Sequence, residues 1–360
     1  MPFGLAFSDR PANAGVKETI GTLVRRMDAS VIIPTFERPE VLYETVRALA
    51  QIDYPKNRWE VVVVDDGSKA ETVGRVRAWL EALDAPARLI VQQNRGPAAA
   101  RNAGARVASG DILIFLDNDI VVHPGFVRRH IEALRAYPGC WVVGRIVHPP
   151  IVRETPFGRY RDDCWETFHR SQRPGGLVET TGMTAANLAV PEMDFSRIGG
   201  FDEGFSIASC EDWDLGQRAR IAGVRILYDP VNVVVHNDWA VDLAQFCKRQ
   251  RLYSVSDVLL WRKYGDQSPR ARLVSENSPT RWGEDDMRLV AKKVLKRLLA
   301  TRLGSAAVRR ACTLTGVLIP DSSLNRRCYE LAVAGAIFRG VREGLARYGV
   351  VPGISKCVTA

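Results

Sequence analysis

The sequence lacks most of what would place it outside the ordinary globular class. Its seven cysteines (Cys140, Cys164, Cys210, Cys247, Cys312, Cys328 and Cys357) are scattered, odd in number and form no Cys-x-x-Cys pair. That argues against a disulfide framework or a structural zinc site, and leaves them as small buried apolar residues. No uninterrupted apolar run approaches the roughly 18 to 20 residues needed to cross a bilayer. The late candidates, "LAVAGAIF" at 331–338 and "TLTGVLIP" at 313–320, fall short. The first residues, "MPFGLAFSDRPANAGVKETIG", lack the basic-then-apolar order of a secretion leader, so 1–28 reads as a loose arm. Internal repeats and low-complexity tracts are missing too. Together these absences predict a cytoplasmic protein.

What is present is unevenly placed. The chain of 360 residues carries a net charge of +9, yet 241–360 holds 22 Lys/Arg against 10 Asp/Glu, +12, leaving −3 for the first 240. Any partner argued from positive charge therefore belongs to the C-terminal third.

From Ser30 onward, β-rich runs alternate with helical patterns. Strands are expected at 30–36, 59–68, 87–94 and 111–117, and helices at 38–52, 70–83 and 97–108. Strands separated by helices of this length imply βαβ units and a parallel sheet. "VVVV" at 61–64 is continuous rather than alternating, as a strand covered on both faces requires. Beyond 140 the pattern loosens, then becomes helical again at 211–222, strand-like at 232–236, and largely helical and basic over 241–349.

The chemistry begins at "ILIFLDNDIVV", 112–122, where an apolar run breaks at Asp117-Asn118-Asp119. Ligands of open α/β sheets bind beyond the carboxyl ends of the strands, where Asp65-Asp66 also falls. Either set alone is an ordinary turn or cap. Together, acid-x-acid at a strand end offers two oxygens to a hard divalent cation, Mg²⁺ or Mn²⁺, that bridges them to a diphosphate.

The set "VIIPTFER", "VVVVDDGS", "NRGPAAARNAGARVASGDILIFLDND", "GGFDEGF" and "EDWDLGQRARIAG" resembles glycosyltransferase family 2 in order and spacing over roughly 29–240. The resemblance implies an inverting nucleotide-sugar transferase. Its fold would be GT-A, α/β, with a Rossmann-like, mostly parallel central sheet flanked by helices. The implied catalytic domain is 29–240, with a nucleotide-binding half, 29–140, and an acceptor-binding half, 141–240. A helical, basic region, 241–360, follows.

The resemblance also implies roles. Pro34, Phe36 and Arg38 would cradle base and ribose, Asp66 would hydrogen-bond the base with Asp65 beside it, and Arg101 would help hold the nucleotide. Asp117 and Asp119 form the D-x-D motif, with Asp119 the direct metal ligand and Asp117 nearer the ribose. His236 in "VVVHND" stands where the family holds a phosphate or metal. Asp212 would be the general base, with Glu211 orienting nearby groups. Acids in a helix's first turn also answer to the helix dipole. Asn187 and Asp202 lie in segments that resemble those flanking donor sugar and acceptor. Trp165, Trp213 and Trp239 are sugar-stacking candidates, with core burial the commoner fate. His123, His130, His148 and His169 receive no role.

The Q-x-x-R-W motif of processive relatives is missing from "QFCKRQRLYS", 245–254, so one sugar per turnover is expected. Arg249 and Arg251 are open between donor phosphate and solvent. A UDP-sugar is favoured by family frequency, with GDP and dTDP open. The acceptor is undetermined among a glycan, a lipid-linked glycan, a peptide and a small molecule. In 285–304, Met287, Val290, Val294 and Leu298 form an apolar helical stripe among lysines and arginines. It would either meet an anionic membrane peripherally or, the favoured expectation, pack against the catalytic domain. Nucleic acid is not expected, since no aromatic-basic module accompanies the charge. The rival readings are a non-catalytic nucleotide- or carbohydrate-binding protein and a sugar nucleotidyltransferase.

Overall fold

The computed structural model describes residues 27–170, 176–207 and 209–349, with side chains omitted at 168–170. The arm through residue 26, the His169 side chain and Cys357 lie outside them. Strand β1 (Met27–Thr35) begins at residue 27, so it takes in the last two residues of the expected arm. It is followed by α1 (Pro39–Leu49), β2 (Trp59–Asp65), α2 (Ala70–Glu81), β3 (Ala87–Val91), α3 (Pro97–Val107) and β4 (Gly110–Leu116). All seven are the elements expected from the alternating pattern.

The Val61–Val64 run shows why the pattern works. Val61 and Val63 pack in one core cluster with Leu42, Val46 and Leu49 of α1. Val62 and Val64 pack in another with Ala98, Ala100 and Ala103 of α3. All four valines are fully buried, each contributing about 1.5 kcal/mol or more. Helix α1 starts on Pro39, whose missing N–H costs nothing in a first turn.

The second half adds β5 (Ile120–Val121), α4 (Phe126–Ala136), β6 (Cys140–Val147), α5 (Pro156–Arg170), β7 (Val178–Glu179), β8 (Asn187–Pro191), α6 (Glu192–Ile198), α7 (Glu211–Ile221) and β9 (Arg225–His236). The sheet runs β3-β2-β1-β4-β8-β6-β9-β5, with β7 also on β9. Strands β1 to β4 are parallel, and β8 is antiparallel to both β4 and β6. Strand order reverses between β1 and β4, so the crevice for a ligand opens beyond their C-terminal ends.

The C-terminal region is helical, as expected: α8 (Leu243–Tyr264), α9 (Ala271–Asn277), α10 (Met287–Leu299), α11 (Arg302–Leu318) and α12 (Ser323–Tyr348). No helix among the described residues is long and apolar enough to cross a membrane.

One expectation fails here. The stripe on α10 does not pack against the catalytic domain: Val290 is buried, but Met287, Val294 and Leu298 are exposed. Helix α10 rests instead on α9, α11 and α12. Its inner face is set by Val290 and by Lys293, which is buried and bonded to Asp285 at 2.8 Å.

Candidate active site

The acids that end β4 meet positive groups of the protein itself. Asp119 Oδ2 accepts from Arg38 Nη1 at 2.7 Å, a pair that spans the crevice between the loops after β1 and β4. Its Oδ1 lies 3.2 Å from His236 Nε2. That contact is built by backbone pairing, with Ile120 of β5 opposite His236 of β9 and Asn237 N donating to Asp119 O at 2.7 Å. Burial alone would push the Asp119 carboxyl up, but His236 and Arg38 outweigh it and hold it well below the usual carboxylate range. Burial likewise opposes the charge on His236, and the Asp119 carboxylate outweighs it, so its pKa is raised. Asp117 accepts from Arg101 Nη2 at 2.6 Å and keeps 32% of its side chain exposed to the crevice.

Arg101 joins the two acidic motifs. Its Nη1 donates to Glu211 Oε1 at 2.8 Å in the first turn of α7, and its guanidinium lies over the Phe201 ring. The side chain is enclosed and both terminal nitrogens are used. Arg101 therefore ties the end of β4 to the start of α7.

Asp212 stands next in α7, partly exposed, and accepts from Trp213 N at 2.7 Å. Burial, then the neighbouring Glu211 charge, pushes its carboxyl up to about 7. That is the range in which a carboxylate exchanges protons effectively near neutrality. Burial also raises Glu211 against the opposing pull of Arg101. The turn into α7 is strained, because Cys210 takes a left-handed φ of 70°, which a residue with a Cβ rarely adopts. Its Sγ lies 3.3 Å from Asp257 Oδ1 of α8, Asp257 is bonded to Arg270, and Arg270 sits 4.5 Å over the Trp213 ring.

The remaining predicted residues separate. Phe36 is 47% exposed beyond β1, and Pro34 is half-buried in it. Asp65 is fully buried and accepts from Gly67 N and Ser68 N, shaping its own turn. Asp66 is nearly enclosed, its oxygens taken by Gln92 Nε2, Arg95 N and Gly96 N, so it fastens the loop ahead of α3.

Asn187 is a correction. It is fully buried in β8, where it bonds His130 Nε2 at 2.8 Å and the carbonyls of Arg145 and Asn232. It cannot face a sugar, and the Gly144 backbone packs against it so closely that a Cβ there would lie 2.2 Å from its Nδ2. Asp202 is also engaged elsewhere, bonded to Lys263 Nζ of α8 at 2.7 Å; that ammonium reaches Asp214 of α7 as well. Of the tryptophans, Trp165 packs on the core, Trp213 lies under Arg270, and Trp239 is exposed.

Helix α8 supplies groups that motif reading left open or missed. Arg249 pairs with Asp238 two residues beyond His236 and feels the Asp119 charge, whereas Arg251 turns away to Glu343 on α12. Tyr253 feels both Asp117 and Glu211, and burial raises its pKa first of all. Neither Tyr253 of α8 nor Arg270, at the start of α9, sits in a recognisable motif; only the packing of these two helices brings them in.

A resident metal ion would find few protein donors here. Among the described residues no group of three or more His, Cys, Asp or Glu is arranged to hold one. Asp119 and His236 instead put a carboxylate oxygen and an imidazole nitrogen side by side. Two protein donors fit a Mg²⁺- or Mn²⁺-type site that substrate phosphates and water complete, not an all-protein cage.

Comparison with known proteins agrees with this architecture. A model described as glycosyl transferase family 2 matches residues 30–188. The chain is 30% identical over 277 residues to validoxylamine A glucosyltransferase of Streptomyces hygroscopicus subsp. limoneus, covering 69% of this chain and 58% of that protein. The chain carries a glycosyltransferase family 2 domain. It is also 37% identical over 199 residues to glycosyltransferase AglE of Haloferax volcanii, covering 55% of this chain and 63% of that one. It thus spans less than two thirds of either family relative. The mannosyltransferase PcManGT of Pyrobaculum calidifontis, solved with GDP-Man and Mn²⁺, superposes at a TM-score of 0.59 over 88% of each chain with 20% identity, a likeness of fold. The family 2 domain here has the GT-A fold followed by helices α8 to α12.

Proposed function

We propose that the chain transfers one glycosyl group per turnover from a nucleotide-sugar to an acceptor nucleophile, with inversion at the anomeric carbon. The observation that carries this reading is the Arg101 bridge, which draws the D-x-D acid Asp117 and the Glu211-Asp212 pair to one guanidinium. Phe36 and Arg38 would meet base and ribose at the reversal of strand order, and Asp117 keeps an oxygen free toward the crevice. Asp212, with its carboxyl near neutrality, would accept the proton of the attacking hydroxyl. Glu211, held by Arg101, fixes where Asp212 stands and raises its proton affinity. A divalent cation bound by Asp119 and His236 would supply charge neutralisation at the diphosphate.

The acceptor class and the donor sugar are left open by these residues, since a fold does not fix its substrate. Support against a degraded, binding-only protein comes from the presence of Asp66, Asp117, Asp119 and Asp212 together. A nucleotidyltransferase would release pyrophosphate; this reading requires a nucleoside diphosphate.

The experiment is a thermal-shift panel of UDP, GDP, dTDP and CDP, each with and without Mn²⁺. A ligand at 100 times its dissociation constant stabilises by about 2.7 kcal/mol, several degrees for a domain of this size. One nucleotide, UDP first among the four, should shift the midpoint in a metal-dependent way. No shift with any of them would favour the binding-protein reading.

A further inference from the structure

We infer that α10 and α11 form a docking face for an anionic lipid bilayer. Helix α10 turns Met287, Val294, Leu295 and Leu298 outward, the last 60% exposed. Helix α11 does the same with Leu303, Leu314, Val317 and Leu318, Leu303 being 86% exposed. Their spacing, i, i+7, i+8, i+11 on the first helix and i, i+11, i+14, i+15 on the second, is that of one face of each helix. Both helices rest on α12, so their inner faces are already filled. Eleven of the 21 large exposed apolar side chains among the described residues fall between Trp282 and Leu324. Such crowding marks an interaction surface, where scattered exposed residues would not.

The charge around this face selects the occupant. Residues 287–320 contain eight Lys/Arg and no Asp or Glu. Lys293 is consumed by Asp285, but Arg288, Lys292, Arg297, Arg302 and Arg310 have no carboxylate partner among the described residues. Around the α10 stripe, Arg297 falls on one flank and Arg288 and Lys292 on the other. Between α10 and α12 a cavity of about 360 Å³ is walled by Arg297, Arg339 and Arg342 together with Glu343, whose carboxylate is already paired with Arg251, and Arg339 Nε is buried there without a partner. A headgroup phosphate meets three guanidinium groups in that cavity while the leucines enter the acyl boundary.

A second copy of this chain fits poorly, because each copy would bring the same basic rim to the contact. Nucleic acid would satisfy the charge but leave the aliphatic stripe in water. The bilayer satisfies both features at once. The inference stands apart from the transfer reading, since its test measures binding alone.

The full chain is sedimented with vesicles of phosphatidylcholine, alone or mixed with phosphatidylglycerol, at low and high salt. It should bind the mixed vesicles at least about tenfold more tightly than the neutral ones, and release at high salt. Leu298→Asp with Leu303→Asp, and separately Arg297→Glu with Arg342→Glu, should each weaken that binding by about tenfold or more. All four positions are exposed, so the thermal midpoint should stay unchanged. Equal binding to neutral vesicles, or none to either kind, would overturn the inference. So would self-association or nucleic-acid binding that these variants abolish in a chain indifferent to vesicles.

Discussion

Arg101 donates to Glu211 across the floor of the crevice at 2.8 Å, and each of the two side chains is only 4% exposed. The same guanidinium holds Asp117 at 2.6 Å, so the end of β4 and the start of α7 are locked through one residue of α3. A buried ion pair of this kind adds little net stability over apolar packing, but breaking it on one side strands a charge. Arg101→Met should therefore lower stability by about 3 to 5 kcal/mol in urea denaturation. Adding Glu211→Gln should restore a large part of that. A loss under about 1 kcal/mol would mean that Glu211 sheds its charge freely and that the tie is dispensable.

The βαβ half was legible because its signals are local. Val61 to Val64 announce a strand covered on both faces, and Leu42, Val46 and Leu49 announce the helix that covers one of them. The site was legible as a set of positions but not as a set of contacts. Nothing near Arg101 in the chain indicates that it faces Glu211, and Asn187 sits in a segment that resembles a sugar-flanking one while its side chain points into the core at His130. The C-terminal helices were the least legible. Periodicity gave α10 an apolar stripe, but the buried Lys293–Asp285 pair, not the stripe, sets which side faces inward. An ion pair from a helix to the turn eight residues before it leaves no trace in the helical period.

Asp212 carries the pH dependence. In an unfolded chain it ionises above about pH 4, while in the fold its carboxyl is pushed up to about 7. Between those values the unfolded chain binds fewer protons, so this group makes stability fall as pH rises. Asp212→Asn should match the native protein near about pH 4 and exceed it by about 2 kcal/mol at about pH 8. On the proposed reading transfer moves the other way, because Asp212 acting as the base must be ionised. Its rate should climb to a plateau above about pH 7 in the native protein and be lost in Asp212→Asn, with nucleotide binding nearly intact. Lost nucleotide binding in that variant would remove the case for a base.

Asp119 answers to a different test. Its carboxylate faces both Arg38 and His236, so Asp119→Ala frees a guanidinium as well as removing an oxygen donor. Nucleotide should then still bind, drawn by the freed Arg38, but Mn²⁺ should no longer enhance the thermal shift. The comparison is made by titrating the nucleotide with and without metal in both proteins. A normal Mn²⁺ enhancement in the variant would rule out the metal site proposed at Asp119 and His236.

Two glycines separate packing from backbone entropy. In α12, a Cβ on Gly340 would sit 2.1 Å from the Arg251 carbonyl oxygen of α8, and one on Gly344 would sit 2.8 Å from Val258 Cγ2. Backbone cannot yield as a side chain can, so Gly340→Ala must push the two helices apart. The cost should be about 2 kcal/mol, typical of overpacking a tight contact. Helix α8 also carries Arg249 on Asp238 and Lys263 on Asp214, so the same change should loosen the wall of the crevice and weaken nucleotide binding. Gly74 in α2 is the control, because a Cβ there meets nothing within 4 Å. Gly74→Ala should raise stability by about 0.5 to 1 kcal/mol through the unfolded chain's lost freedom, and leave nucleotide binding untouched. Denaturation midpoints moving in opposite directions for the two alanines would separate contact from entropy. If Gly340→Ala proved neutral, the close approach of α12 to α8 would not be what holds α8 over the crevice.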